Sequence, residues 1–186
     1  MNCKPYYGAT IQHISQPFGV NPTSYQPNGH TGVDMSPIMG YGKNLVAPED
    51  VRIKRVINID TFDFIKYPTQ LSNGFGVLMT SLADPTIDYL YWHCLPAIPV
   101  KEGDIIKQGD SVAQMGNSGF VFQAGKLVAI EHRSNPGYPG THLHYEKRVN
   151  NVYVDPIESI DWNIPVPYPP ASFGLAVLKK LLNIIS

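Results

Sequence analysis

The chain has 186 residues and a formal charge of −1, with 16% charged side chains where about 25% is usual, a balance that suits neither a nucleic-acid-binding surface nor a disordered chain. Sixteen glycines and seventeen prolines make turns frequent and disfavour a helical bundle, while eleven tyrosines suit strands. Two cysteines, Cys3 and Cys94, are too few for a disulfide framework, and no run of 18 apolar residues could span a bilayer.

In chain order, the N-terminus carries no apolar stretch of secretory length, so the expectation is a protein without a signal peptide. Short β-rich runs follow at residues 51–59, 76–82, 89–94, 111–115, 126–130 and 142–147, separated by Gly and Pro, and predict antiparallel β structure. Within residues 100–116 the pair Gly103-Asp104 recurs as Gly109-Asp110. Each pair suits a tight turn, and together they resemble the hammerhead turns of barrel-sandwich hybrids. Carrier domains for lipoyl and biotinyl groups share that architecture, but no Lys stands in a carrier signature here. Pro165, Pro167, Pro169 and Pro170 fix an extended linker over residues 165–171. Ser172 can then cap a helix over 172–186, with Leu175, Leu178, Leu182 and Ile185 along one face. The expected organisation is a domain at 1–164, a linker, and an amphipathic tail helix. We read that helix as docking on its own domain or on an oligomeric neighbour, in preference to resting at a membrane interface.

Six histidines occur, and four of them stand where they can carry chemistry. His30 and Asp34 lie four apart around Gly32. His142 and His144 share one face of a predicted strand, because strand side chains alternate with period two. This set offers three imidazoles and one carboxylate. Zinc accepts both donor types, and a catalytic zinc keeps three protein ligands and one open position. Four candidates for three places leave one histidine for general-base chemistry. His93 ends the Tyr91-Trp92-His93 run, whereas His13 and His132 have no motif around them and are read as structural. Cys94 is read as a small buried thiol.

Four segments then agree, in order, with one family: Gln16-Pro17-Phe18-Gly19; Gly29-His30-Thr31-Gly32-Val33-Asp34; Tyr91-Trp92-His93 with the Gly-Asp repeat and Gly116-Asn117-Ser118-Gly119; and Thr141-His142-Leu143-His144-Tyr145-Glu146. Over roughly residues 11–155 the chain resembles the lysostaphin or LytM type of zinc endopeptidase, peptidoglycan hydrolases with H-x(3)-D and H-x-H motifs. The resemblance implies a mainly β fold, antiparallel sheets in a barrel-sandwich hybrid, and one Zn2+ per chain. It implies His30, Asp34 and His144 as metal ligands, His142 as the general base, and His93 as a group near the scissile carbonyl. The chain departs from its relatives at Cys94, where they usually carry Leu. It departs again at residues 120–140, which intervene where relatives have only a few residues. Ending beside His142, this insertion is expected to line the groove.

The function so implied is zinc-dependent endopeptidase cleavage of the peptide stems or cross-bridges of bacterial peptidoglycan, with no nucleic-acid partner. Without an export signal or wall-binding repeat, the expectation is a bacteriophage enzyme. It would be released from host cytoplasm through a holin pore or carried on the virion, with residues 172–186 docking to a virion or oligomeric partner. The alternative is a catalytically silent virion module that keeps the fold. All five expected site positions are filled, which argues against it. A D-Ala-D-Ala dipeptidase would carry a longer His-to-Asp spacing and a Glu-x-x-His base motif, which are absent.

Overall fold

A computed structural model describes residues 1–22, 27–57 and 74–166. Its strands are β1 (Ile14–Gln16), β2 (Val33–Met35), β3 (Asn44–Val46), β4 (Val51–Ile57), β5 (Phe75–Ser81), β6 (Ile87–Cys94), β7 (Ile105–Ile106), β8 (Ser111–Gln114), β9 (Phe122–Gln123), β10 (Lys126–Leu127), β11 (Leu143–Val149) and β12 (Val152–Val154). One sheet runs β1-β2-β11-β6-β5-β4-β7, with β12 pairing β11. The β3–β8 ribbon and the β9–β10 hairpin are separate two-stranded units, and these strands all pair antiparallel, a lone parallel bridge joining Asn2 to Ile160. The fold is therefore mainly β, as the turn-rich sequence implies, and among the described residues no sheet closes into a barrel.

Period-two alternation explains which face is buried. Val33 and Met35 of β2, Tyr89 and Tyr91 of β6, and Leu143 and Tyr145 of β11 join one core with Leu45 and Val112 of the ribbon. Each such side chain contributes about 1.5–3 kcal/mol by leaving water. The tyrosines add direction: Tyr91 meets Tyr145 edge-on at 5.1 Å, and its hydroxyl donates to the Val46 carbonyl at 2.9 Å, tying sheet to ribbon. Residues between these on β2 and β11, Asp34 and His144 among them, belong to the opposite face.

The Gly-Asp repeat forms two tight turns, in which Asp104 N–H donates to the Lys101 carbonyl at 3.1 Å and Asp110 N–H to Lys107 at 3.0 Å. One predicted strand needs correcting. Of residues 126–130 just Lys126–Leu127 is strand, and Ile130–His132 is a 3-10 turn. Its partner β9 offers two residues to pair with, so the ladder stops as the chain bends at Ala129. The strands not foreseen, β1, β2, β3, β7, β9 and β12, have two or three residues each, too few to display an alternation. Val166, at the start of the Pro-rich stretch, is buried against Cys3 and Val46. The rest of the expected linker and the expected C-terminal helix lie outside the described residues.

Candidate metal centre

Strand register assembles the centre. β2 and β11 pair Asp34 directly with His144, and partners opposite one another project from the same face. Gly32 allows this close approach, since a Cβ there would lie 2.4 Å from the Tyr145 carbonyl oxygen. His30 comes from the preceding loop. There Gly29 adopts φ +80°, and backbone hydrogen bonds from His30 to Val20 and from Gly19 to His30 fix the chain. The three predicted ligands meet: His144 Nδ1 lies 2.8 Å from Asp34 Oδ1 and 2.9 Å from His30 Nε2, and His30 Nε2 lies 3.2 Å from Asp34 Oδ1. They form a group able to hold a metal ion. Ligand atoms around tetrahedral zinc at about 2.0–2.1 Å stand roughly 3.3 Å from one another. This triangle is slightly tighter than that, and two imidazoles with one carboxylate are donors zinc accepts, so the residues fit the ion.

Hydrogen bonds fix which nitrogen faces the centre. His30 donates Nδ1–H to the Pro17 carbonyl at 3.1 Å, leaving Nε2 for the centre. His144 is oriented the opposite way, its Nε2–H donating to Glu146 Oε1 at 3.1 Å. Glu146 is itself held by Thr31 Oγ1 at 2.8 Å and by Arg148 at 3.2 Å. Electrostatics agree. Burial opposes the Asp34 carboxylate, but the hydrogen bonds of His144 and His30 outweigh it and hold the group well below the usual carboxylate range. Burial likewise opposes charge on His144, yet Asp34 and Glu146 push it up to about 9.

Two further imidazoles stand beside the triangle. His142 donates Nδ1–H to the Gly140 carbonyl at 2.8 Å and places Nε2 3.7 Å from Asp34 Oδ2. Its ring centroid lies 4.4 Å from that of His93. Burial shifts both downward, His93 strongly, with His142 and His144 adding repulsion there, so both favour the neutral form. His93 reaches this face by an irregularity. Alternation along β6 would send it to the core with Tyr91, but its φ of +60° re-aims the ring, and Nδ1–H donates to the Ser118 carbonyl at 2.7 Å.

His13 pairs with the Tyr6 hydroxyl at 3.0 Å and His132 is exposed, neither at the centre. Cys94 is fully buried, its thiol pushed upward by burial, and it is not part of the donor group. The motif that contains Glu146 predicts no role for it, yet the residue orients His144. Its position two residues after His144, hence on the same strand face, was the available signal. The centre floors a cleft of about 1350 Å³, walled by Pro37, Ile38, Met39 and Tyr41 on one loop and by Phe120, Phe122, Tyr138 and neighbours of the insertion.

The chain belongs to peptidase family M23, whose model matches residues 28–156. No curated protein matches it. Among solved structures, LytU is similar at 23% identity and TM-score 0.54, the match covering 77% of this chain and 81% of LytU. The catalytic domain of the prophage-encoded M23 protein EnpA from Enterococcus faecalis, in a mutant form, gives 21% and 0.53 over 82% of this chain and 95% of that one. A zinc-containing peptidase from Vibrio cholerae gives 19% and 0.53, and there the match covers 83% of this chain and 39% of that protein. At such identities the likeness is one of fold.

Proposed function

We propose that the protein is a zinc-dependent endopeptidase acting on the peptide stems or cross-bridges of bacterial peptidoglycan. The observation that carries this reading is the convergence of His30, Asp34 and His144 beside two neutral imidazoles on the floor of an open cleft. Membership of family M23 supports the peptidase chemistry, and the four ordered motifs support the wall-peptide substrate.

His30 Nε2, Asp34 Oδ1 and His144 Nδ1 would hold the zinc, which supplies Lewis acidity toward a water and a carbonyl oxygen. His142 is the base. With Nδ1–H committed to Gly140, its Nε2 lone pair is the one available to take a proton from the attacking water and later return it to the leaving amine. His93 is oriented in the same way by Ser118, so its neutral form accepts at Nε2 and donates to a developing oxyanion only once protonated. Among the described residues lining the cleft Asp34 is the sole carboxylate, and there is no Lys or Arg.

The place of action belongs to the same proposal: a phage enzyme, either released from host cytoplasm through a holin pore or carried on the virion tail. EnpA, one of the similar structures, is prophage-encoded. Digestion of defined cross-linked muropeptides with mass readout tests the activity. Zinc-loaded protein is expected to yield new amino termini, and His142→Ala to lose at least about a hundredfold in rate with zinc still bound. Undiminished turnover by His142→Ala, or no product from the zinc-loaded parent, overturns the reading.

A further inference from the structure

The turn that precedes His142 is held from four directions. The Pro139 carbonyl accepts from Asn117 Nδ2 at 3.0 Å, and Gly140 N–H donates to Gln123 Oε1 at 3.1 Å. Thr141 Oγ1 donates back to the Tyr138 carbonyl at 2.6 Å. The fourth hold comes from another loop: the Tyr138 ring lies flat on Tyr41, with centroids 3.8 Å apart and planes 9° from parallel. Tyr138 needs such a hold, because its φ of +45° places a bulky residue in the left-handed region at a cost of about 1–2 kcal/mol. The same turn presents the Gly140 carbonyl that fixes the His142 ring.

We propose that Tyr41 is a positioning residue for the reaction: stacked on Tyr138, it holds the 137–141 turn in the conformation whose Gly140 carbonyl orients His142. The inference rests on the reading of His142 as the base. It needs the ring face of Tyr41 and makes no use of its hydroxyl. A ring that tilts when this carbonyl moves withdraws its Nε2 from the water, and misplacement by about 1 Å can cost on the order of a hundredfold in rate.

Zinc-loaded protein and its Tyr41→Phe, Tyr41→Leu and Tyr41→Ala variants test this, each checked for zinc content and melting temperature. On soluble cross-linked muropeptides, Tyr41→Ala and Tyr41→Leu are expected to lower kcat about tenfold or more with KM within about twofold, and Tyr41→Phe to restore kcat. An unchanged kcat in both Tyr41→Ala and Tyr41→Leu, or a loss confined to KM, overturns it. A readout independent of turnover separates this inference from the activity on which it rests. In 15N-histidine spectra the His142 Nδ1–H resonance, kept by its bond to Gly140, should persist in the parent and Tyr41→Phe and broaden or shift in Tyr41→Ala. If that resonance is the same in all four proteins the inference fails, whether or not the parent cleaves muropeptides. If the parent cleaves nothing yet the resonance responds as expected, the peptidase reading fails, the catalytic part of this inference fails with it, and the hold of Tyr41 on the His142 ring alone is upheld.

Discussion

A neutral imidazole offers one donor and one acceptor, and in this centre each donor has a fixed partner. His30, His93 and His142 give Nδ1–H to the carbonyls of Pro17, Ser118 and Gly140, whereas His144 gives Nε2–H to the Glu146 carboxylate. Asp34→Ala removes the only carboxylate of the donor triangle, and zinc should fall from one per chain to a small fraction of that by metal analysis of the purified protein. Glu146→Ala leaves all three donors but frees the His144 ring, so zinc affinity should drop about 10–100-fold in a competition titration against a chelator; an unaltered affinity would contradict the role of that contact. Spacing shows which donors can meet, while the division into ligands and base came from the family resemblance. Alternation in the predicted strand puts His142 and His144 on one face, although β11 itself begins at Leu143, and Asp34 four residues beyond His30 suits one centre. The re-aimed His93 was not legible as geometry, because a left-handed residue inside a strand leaves no mark on the amino-acid pattern.

At the scale of elements, the pairing of β2 with β11 decides whether a centre exists. A shift of one residue would send Asp34 to the core and Val33 to the cleft. Gly32 guards this register by letting the two backbones approach, so Gly32→Ala drives a Cβ into the Tyr145 carbonyl. We expect a loss of about 1–3 kcal/mol in denaturant unfolding and weaker zinc binding together. Full stability with full zinc affinity would show that the strands can part without consequence. The longer strands, β4, β5, β6 and β11, were visible as alternating runs. The three-residue β2 was not, although it carries the candidate donor Asp34, because its formation depends on a partner more than a hundred residues away. The insertion was recognisable by length and by its end beside His142. Its stack on Tyr41 could not be read, since nothing local links two tyrosines on separate loops.

For the molecule as a whole, the donors come from distant parts of the chain, so the bound ion should act as a cross-link of the native state. Zinc present at a thousandfold over its dissociation constant stabilises by about 4 kcal/mol, and for a chain of this size chelation should lower Tm by roughly 10 °C in calorimetry. An unchanged Tm after demonstrated zinc loss would show that the sheet and its tyrosine-rich core hold the site open unaided. The wall of the cleft is organised differently from its floor. Among the described residues the strands of the β9–β10 hairpin pair with each other and with no other strand, Lys126 with Gln123 and Leu127 with Phe122, and the tip residues Ala124 and Gly125 border the cleft at positive φ. Gln123 is the exception, since its Oε1 accepts from Gly140 N–H and so ties the arm to the turn before His142. The tip beyond it, Ala124 and Gly125, is therefore the part of this jaw that can be exchanged to reshape the mouth of the cleft while that tie is kept.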